Sequence, residues 1–240
     1  MTESLSDHAG DDASTKLGAP LVAEDLLLLL FQPRHGTIAG ENTLFYVLAG
    51  GVLTDLAFGN HLATPEGKAG GVKVGVNDTP PPSDSILREA WDYISEKPRN
   101  VQTVVAAIGP RLRKDLIERL VERGELVETD HKVLGLFSTT ALSEGESGRR
   151  GVLFDALRDA LLGDADPDAR TGALAALVSA SGTLPQFDPE IPWTSPVIAR
   201  AKEFEHGNWG AGAAAEAVAR TIAATIINNI IVATAVIPRS

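Results

Sequence analysis

The chain contains no cysteine. That absence removes disulfide staples, thiolate nucleophiles and cysteine-ligated zinc or iron–sulfur centres together, and it fits a cytosolic setting. A basic surplus is missing as well: 21 Lys and Arg face 32 Asp and Glu, giving a net charge of −11 and a pI near 4.9. A broad electrostatic hold on nucleic-acid phosphates is thereby excluded, and any anion site must be local. The chain also lacks an uninterrupted apolar span of the ~20 residues that cross a bilayer. Its best candidate, Thr221 to Pro238, carries Asn228 and Asn229 at its centre and reads as a buried core helix rather than a transmembrane span. A secretory pattern is missing too. Met1 to Lys16 is acidic and Ser-rich where a signal needs a basic then an apolar run, and residues 1–19 are expected to form a disordered acidic tail.

What is present describes an ordinary globular protein: 240 residues, 44% hydrophobic and 22% charged, with a mean hydropathy of +0.04. Neither an internal repeat nor a clean linker marks a second domain, so residues 20–238 are expected to fold as one helical domain. Helical spacing predicts elements over Val22 to Phe31, Asn42 to Phe58, Ser83 to Glu96 and from Asn100 through Ile108. Gly109-Pro110 then reads as a stop and restart, with a new helix from Arg111 to Arg123. Arg150 to Leu162, Pro167 to Ser179, Pro196 to Phe204 and a long final helix from about Trp209 to Val236 complete the set. Weak alternation over His61 to Val76, and again over Leu126 to Phe137 around Thr129-Asp130-His131, predicts two short β-hairpins. The expected fold class is all-α: eight or nine helices around a central bundle, with one or two hairpins. Within Asn42 to Phe58, Gly50 and Gly51 each cost roughly 1 kcal/mol against Ala, which implies close approach of other helices.

Motifs for chemistry fail on inspection. Asp164, Asp166 and Asp168 imitate a calcium loop, but Ala169 and Ala175 replace the required Gly and Glu, and helix capping is the better reading. Around Lys68 the phosphate-loop pattern breaks at Leu62 and Ala69. Ser147 lacks the second glycine of a nucleophile elbow and belongs to a surface loop. The five histidines are scattered without metal-ligand spacing, and Asp155 and Asp159 flank Arg158 as on a solvated helix face. No catalytic residue, metal or cofactor is implied.

One residue departs from its local pattern. Arg113 precedes Ile117 by four and Leu120 by seven, which places it on the apolar stripe Leu112, Leu116, Ile117, Leu120 and Val121. Its neighbours Arg111, Lys114, Arg119 and Arg123 alternate with Asp115, Glu118 and Glu122 and read as a solvated face. For Arg113 two readings stand: a side chain snorkelling out or pairing with a carboxylate, or a ligand for a phosphate or other anion.

The order of several segments carries more than any one of them. Val22-Ala23-Glu24-Asp25-Leu26-Leu27-Leu28-Leu29, Leu48-Ala49-Gly50-Gly51-Val52-Leu53-Thr54-Asp55-Leu56-Ala57 and Leu120-Val121-Glu122-Arg123-Gly124-Glu125-Leu126 resemble the Golgi phosphoprotein 3 family. So do Asp168-Ala169-Arg170-Thr171-Gly172-Ala173-Leu174-Ala175-Ala176-Leu177 and the stretch from Ala201 to Trp209. Low Lys beside abundant Ala, Gly, Asp and Arg looks like its bacterial, actinobacterial branch.

The resemblance implies a helical domain around a central bundle, and a hairpin with an apolar tip used in membrane contact or self-association. That hairpin is Val127 to Phe137 here, with Val127, Val133, Leu134, Leu136 and Phe137 as its apolar residues. It further implies a non-enzymatic, cytoplasmic protein, peripheral on the inner membrane face. Such a protein recognises phosphatidylinositol 4-phosphate and, in eukaryotes, the cytosolic tails of glycosyltransferases. The family's headgroup pocket uses a Trp, an Arg on the second helix and two Arg one turn apart, at positions that correspond to Gly40, Ala49, Pro110 and Arg113. Only Arg113 matches, with Arg111 nearby, so headgroup binding is expected to be weakened. The alternative that the resemblance leaves open is a cytosolic protein-interaction scaffold, a homo-oligomer through the hairpin, that has lost lipid binding.

Overall fold

Five successive leucines, Leu26 to Leu30, lie wholly out of solvent in α1 (Val22–Leu30), every residue of which is buried. A helix apolar on all sides has to be central. It is packed by α2 (Leu44–Phe58), α4 (Val101–Glu122), α5 (Arg149–Leu162) and α6 (Ala169–Ala180). The structure is a computed structural model, and it describes residues 17–65, 71–133, 137–163, 166–207 and 214–235. Among these residues there are eight α-helices; α3 (Ser85–Ser95), α7 (Ser195–Glu205) and α8 (Ala214–Ala235) complete the set. The protein is mainly α-helical, as its sequence leads one to expect.

The two glycines of α2 are where helices meet. A Cβ on Gly51 would stand 2.8 Å from the backbone N and Cα of Ala23 in α1, and one on Gly50 would stand 2.9 Å from Leu177 Cδ2 of α6 and 3.3 Å from Ile226 Cδ1 of α8. Hydrogen in place of Cβ thus lets three helices close on one segment. Helix α8 buries Ala219, Ile222, Ala223, Ile226, Ile227 and Ile230 against this core while Thr221 and Asn228 face solvent. Among the described residues no helix is long and apolar enough to cross a membrane.

Asp84 caps α3 by accepting from the amides of Ile86 at 2.9 Å and Leu87 at 3.1 Å, and Asp168 caps α6 through the amide of Thr171 at 2.9 Å. The capping reading of Asp168 therefore holds. Arg158 pairs with Asp155 at 2.9 Å and Asp159 at 3.6 Å on an exposed face of α5, also as expected.

Three expectations need correction. There is no restart at Gly109-Pro110: α4 runs unbroken from Val101 to Glu122 with Pro110 inside it. Pro110 cannot donate to the carbonyl of Ala106, but both residues are exposed, so water can take the freed carbonyl. The second hairpin is longer than read and does not turn at Thr129-Asp130-His131. Strands β6 (Leu126–Val133) and β7 (Phe137–Glu144) pair antiparallel from Leu126↔Glu144 to Val133↔Phe137, placing those three residues in mid-strand. The Ser/Thr-rich run after Phe137 is a strand because a hairpin partner satisfies its backbone, which alternation of apolar residues does not register.

Third, the sheet content is larger than read. The expected first hairpin, β3 (Leu62–Ala63) with β4 (Lys73–Val76), gains a third strand, β5 (Arg99–Asn100), and β1 (Phe31–Gln32) pairs with β2 (Thr37–Ile38) where only a helix end was expected. Of the expected acidic tail, residues 1–19, the first sixteen lie outside the described residues, as do Leu134 and Leu136.

Candidate functional site

Leu112, Leu116, Ile117 and Leu120 of α4 are buried, yet Arg113 is half exposed. Its long stem carries the guanidinium away from the apolar side, where Nη2 meets Glu41 Oε1 at 3.2 Å. Around the pair is a cavity of about 270 Å³ lined by Glu41, Leu44, Phe45, Gly109, Pro110 and Arg113. Gly109 sets its floor: a Cβ there would stand 2.8 Å from the carbonyl oxygen of Phe45, so α4 and α2 cross almost backbone to backbone.

Of the pocket positions inferred from sequence, Pro110 and Arg113 line this cavity. Gly40 borders it through its neighbour Glu41. Its φ of +72° and the 2.9 Å that would separate a Cβ from Thr183 Cγ2 show why glycine occupies the turn. Ala49 is fully buried within α2 and is not part of the lining. Arg111 points to solvent and pairs with Glu89 at 2.9 Å. The cavity thus brings one guanidinium and one carboxylate together, both about half exposed. An incoming anion competes with Glu41 for Arg113, and exposed pairs of this kind are worth only about 0–1 kcal/mol.

In the hairpin, Val127 is 45% exposed, an apolar side chain offered to solvent next to the strand start. Val133 and Phe137 form the last backbone pair before the undescribed Leu134 and Leu136.

The larger electrostatic feature is one that sequence reading misplaced. Arg119 and Arg123 do not lie on a solvated face: their side chains are 9% and 4% exposed. Arg123 Nε donates to Glu24 Oε1 at 2.9 Å, Arg119 Nε lies 3.4 Å from the same oxygen, and Arg119 Nη2 donates to Asp84 Oδ2 at 2.6 Å. Glu24 in turn accepts from the amide of Leu21 at 2.6 Å, closing the N-terminus of α1 on itself. Asp25, also fully buried, accepts from Arg149 Nε at 3.0 Å and Arg170 Nη2 at 2.7 Å.

Asp55 of α2 completes the network, taking the amide of Val22 at 2.7 Å while Arg170 Nη1 stands 3.5 Å away. Burial raises the Asp55 carboxyl to about 7, against the lowering effect of Arg170 and the Val22 amide. Arg119, Arg123 and Arg170 also donate to the carbonyls of Leu17, Gly18 and Pro20, which ties the incoming chain to the bundle. These arginines are engaged in holding the fold, with α1 as the hub.

A family model described as Golgi phosphoprotein 3 (GPP34) matches residues 22–221. The search of curated proteins gives no match. The matched segment spans α1 through the first part of α8, and so contains the helix crossing at Gly109, the Arg113 cavity and the β6–β7 hairpin. The chain belongs to the Golgi phosphoprotein 3 family.

Proposed function

We propose that this protein is a non-enzymatic, peripheral membrane member of its family that binds an anionic headgroup, phosphatidylinositol 4-phosphate or another acidic lipid, weakly through Arg113. The observation that carries this reading is the Arg113 guanidinium at an open cavity between α2 and α4, held by nothing firmer than the exposed carboxylate of Glu41. Family membership supports a Golgi phosphoprotein 3-like role. Weakness follows from composition: a basic residue near an anionic surface contributes about 1 kcal/mol, and here Ala49 and Pro110 stand where the family has arginines. The net charge of −11 adds a general repulsion from acidic membranes.

Flotation with neutral vesicles and with vesicles containing phosphatidylinositol 4-phosphate or another acidic lipid, at low salt, tests the proposal. Binding that rises with acidic lipid and falls in Arg113→Ala is expected. Absence of any lipid dependence at low salt would sink it.

A second reading, a cytoplasmic interaction scaffold that self-associates through the hairpin, draws on the exposed Val127 and the eight-pair register of β6 and β7. It expects oligomers in sedimentation whether or not lipid is present.

A further inference from the structure

A second cavity, of about 530 Å³, lies away from Arg113, between the β1–β2 turn, the first turn of α5 and the short 3₁₀ helix Leu184–Phe187. Its volume falls in the range of small-molecule sites. Phe154 and Phe187 supply aromatic walls, edge to face at 5.6 Å, while the Phe31 side chain is fully buried. Arg150 enters from α5 and is fixed by donating Nε to the carbonyl of Phe31 at 3.2 Å.

That anchor leaves both Nη nitrogens of Arg150 without a partner among the described residues. Among the described residues, ion pairs are made by Arg88, Arg99, Arg111, Arg113, Arg119, Arg123, Arg149, Arg158, Arg170 and Arg200. Arg34 and Arg150 have no carboxylate within ion-pair distance among the described residues, and both line this cavity. A partly buried guanidinium in a cavity that also holds aromatic side chains, oriented by its own Nε bond, is arranged to take a planar two-oxygen anion through its Nη donors.

Two acidic residues of the cavity limit the charge of that anion. Asp188 and Glu190 line the same cavity, so a dianion meets about twice the repulsion that a singly charged carboxylate does. An amide donor on the ligand would find acceptors there, although Asp188 Oδ2 already takes the Trp193 amide at 3.1 Å.

We propose that this cavity is a second binding site, taking a monocarboxylate attached to an apolar or aromatic residue, as in an N-acylated amino acid or the C-terminus of a peptide. Arg150 holds the carboxylate, Phe154 and Phe187 flank the apolar body, and Asp188 and Glu190 take the amide end. The site is independent of Arg113, which lies on another helix and lines another cavity.

Titration of the full chain, followed by calorimetry or amide chemical shifts, tests this with N-acetylphenylalanine, its carboxamide and phenyl phosphate. The acid saturates the protein with a Kd of about 1 mM or tighter. The carboxamide binds about tenfold more weakly or worse, because the charge-assisted pair with Arg150 is lost. Arg150→Ala reproduces that loss for the acid, while Arg113→Ala leaves it unchanged. If Arg150→Ala unfolds the protein by releasing Phe31, the comparison of acid with carboxamide on the unaltered chain decides alone. Equal binding of acid and carboxamide, no saturation by about 10 mM, or tighter binding of phenyl phosphate overturns the assignment. A short peptide ending in phenylalanine distinguishes the sources: affinity above that of N-acetylphenylalanine identifies a peptide terminus, and affinity below it identifies a free small molecule.

Discussion

Arg123 Nε lies 2.9 Å from Glu24 Oε1, joining the C-cap of α4 to the first turn of α1 with side chains only 4% and 0% exposed. A buried pair of this kind is weak evidence of net stabilisation, yet removing one partner leaves a charge stranded in the core. Arg123→Ala is therefore expected to destabilise the protein by about 3 kcal/mol or more. The double variant Arg123→Met with Glu24→Leu should lose much less, and urea denaturation measures both. Equal losses in the single and double variants would show that the charges themselves matter little.

The pH dependence of stability has a definite sign at Asp55. Its carboxyl is raised to about 7 in the folded protein by burial, above the ordinary value that it regains on unfolding. Between those values the folded state holds the proton more tightly than the unfolded state does. The Asp55 contribution is thus fully present below about pH 4 and is lost as pH rises through 7, with a slope of up to about 1.4 kcal/mol per pH unit. Asp55→Asn should remove this slope. Denaturant midpoints from pH 4 to 8, compared between the two proteins, give the measurement.

The two glycines of α2 should differ in their tolerance of alanine. Gly51→Ala places a methyl 2.8 Å from the backbone of Ala23, which cannot yield without moving α1, and a loss of about 1–3 kcal/mol is expected. Gly50→Ala meets chiefly the flexible end of Leu177, and its loss is offset in part by about 1 kcal/mol of helix propensity. Thermal unfolding of the two variants should rank Gly51→Ala below Gly50→Ala.

If the hairpin mediates self-association, Val127→Asp should abolish it while leaving thermal stability within about 0.5 kcal/mol, since the residue is exposed. Sedimentation velocity reads the oligomeric state directly.

How legible these features were depends on the distance over which each is decided. The helices came through because their apolar spacing is local, and the pair Gly50 and Gly51 announced a close crossing because glycine in mid-helix has few other uses. Pro110 misled because Gly-Pro is a good helix start. What lets α4 continue is the exposure of Ala106, a tertiary fact.

Arg119 and Arg123 misled for a related reason. Lys114, Asp115, Glu118 and Glu122 surround them with alternating charge, the signature of a wet face, while their true partners Glu24 and Asp84 are 99 and 35 residues away. Glu24 and Asp25 are first-turn acids that complement a helix dipole, but with the whole of α1 buried they also require distant arginines, which no local pattern marks. At the candidate site, Arg113 was legible as an irregularity in its stripe. Glu41, 72 residues away, was not, because nothing local marks a loop glutamate as the partner of a distant guanidinium.

The most direct test of the headgroup proposal is flotation of the unaltered protein, Arg113→Ala and Glu41→Gln on the same acidic vesicles at low salt. Freed from its carboxylate competitor, Arg113 in Glu41→Gln should bind up to about fivefold more tightly than in the unaltered protein, the equivalent of an exposed pair of about 1 kcal/mol. Arg113→Ala should fall to the level seen with neutral vesicles. Indistinguishable binding by all three proteins would contradict the proposal that Arg113 is the anion ligand.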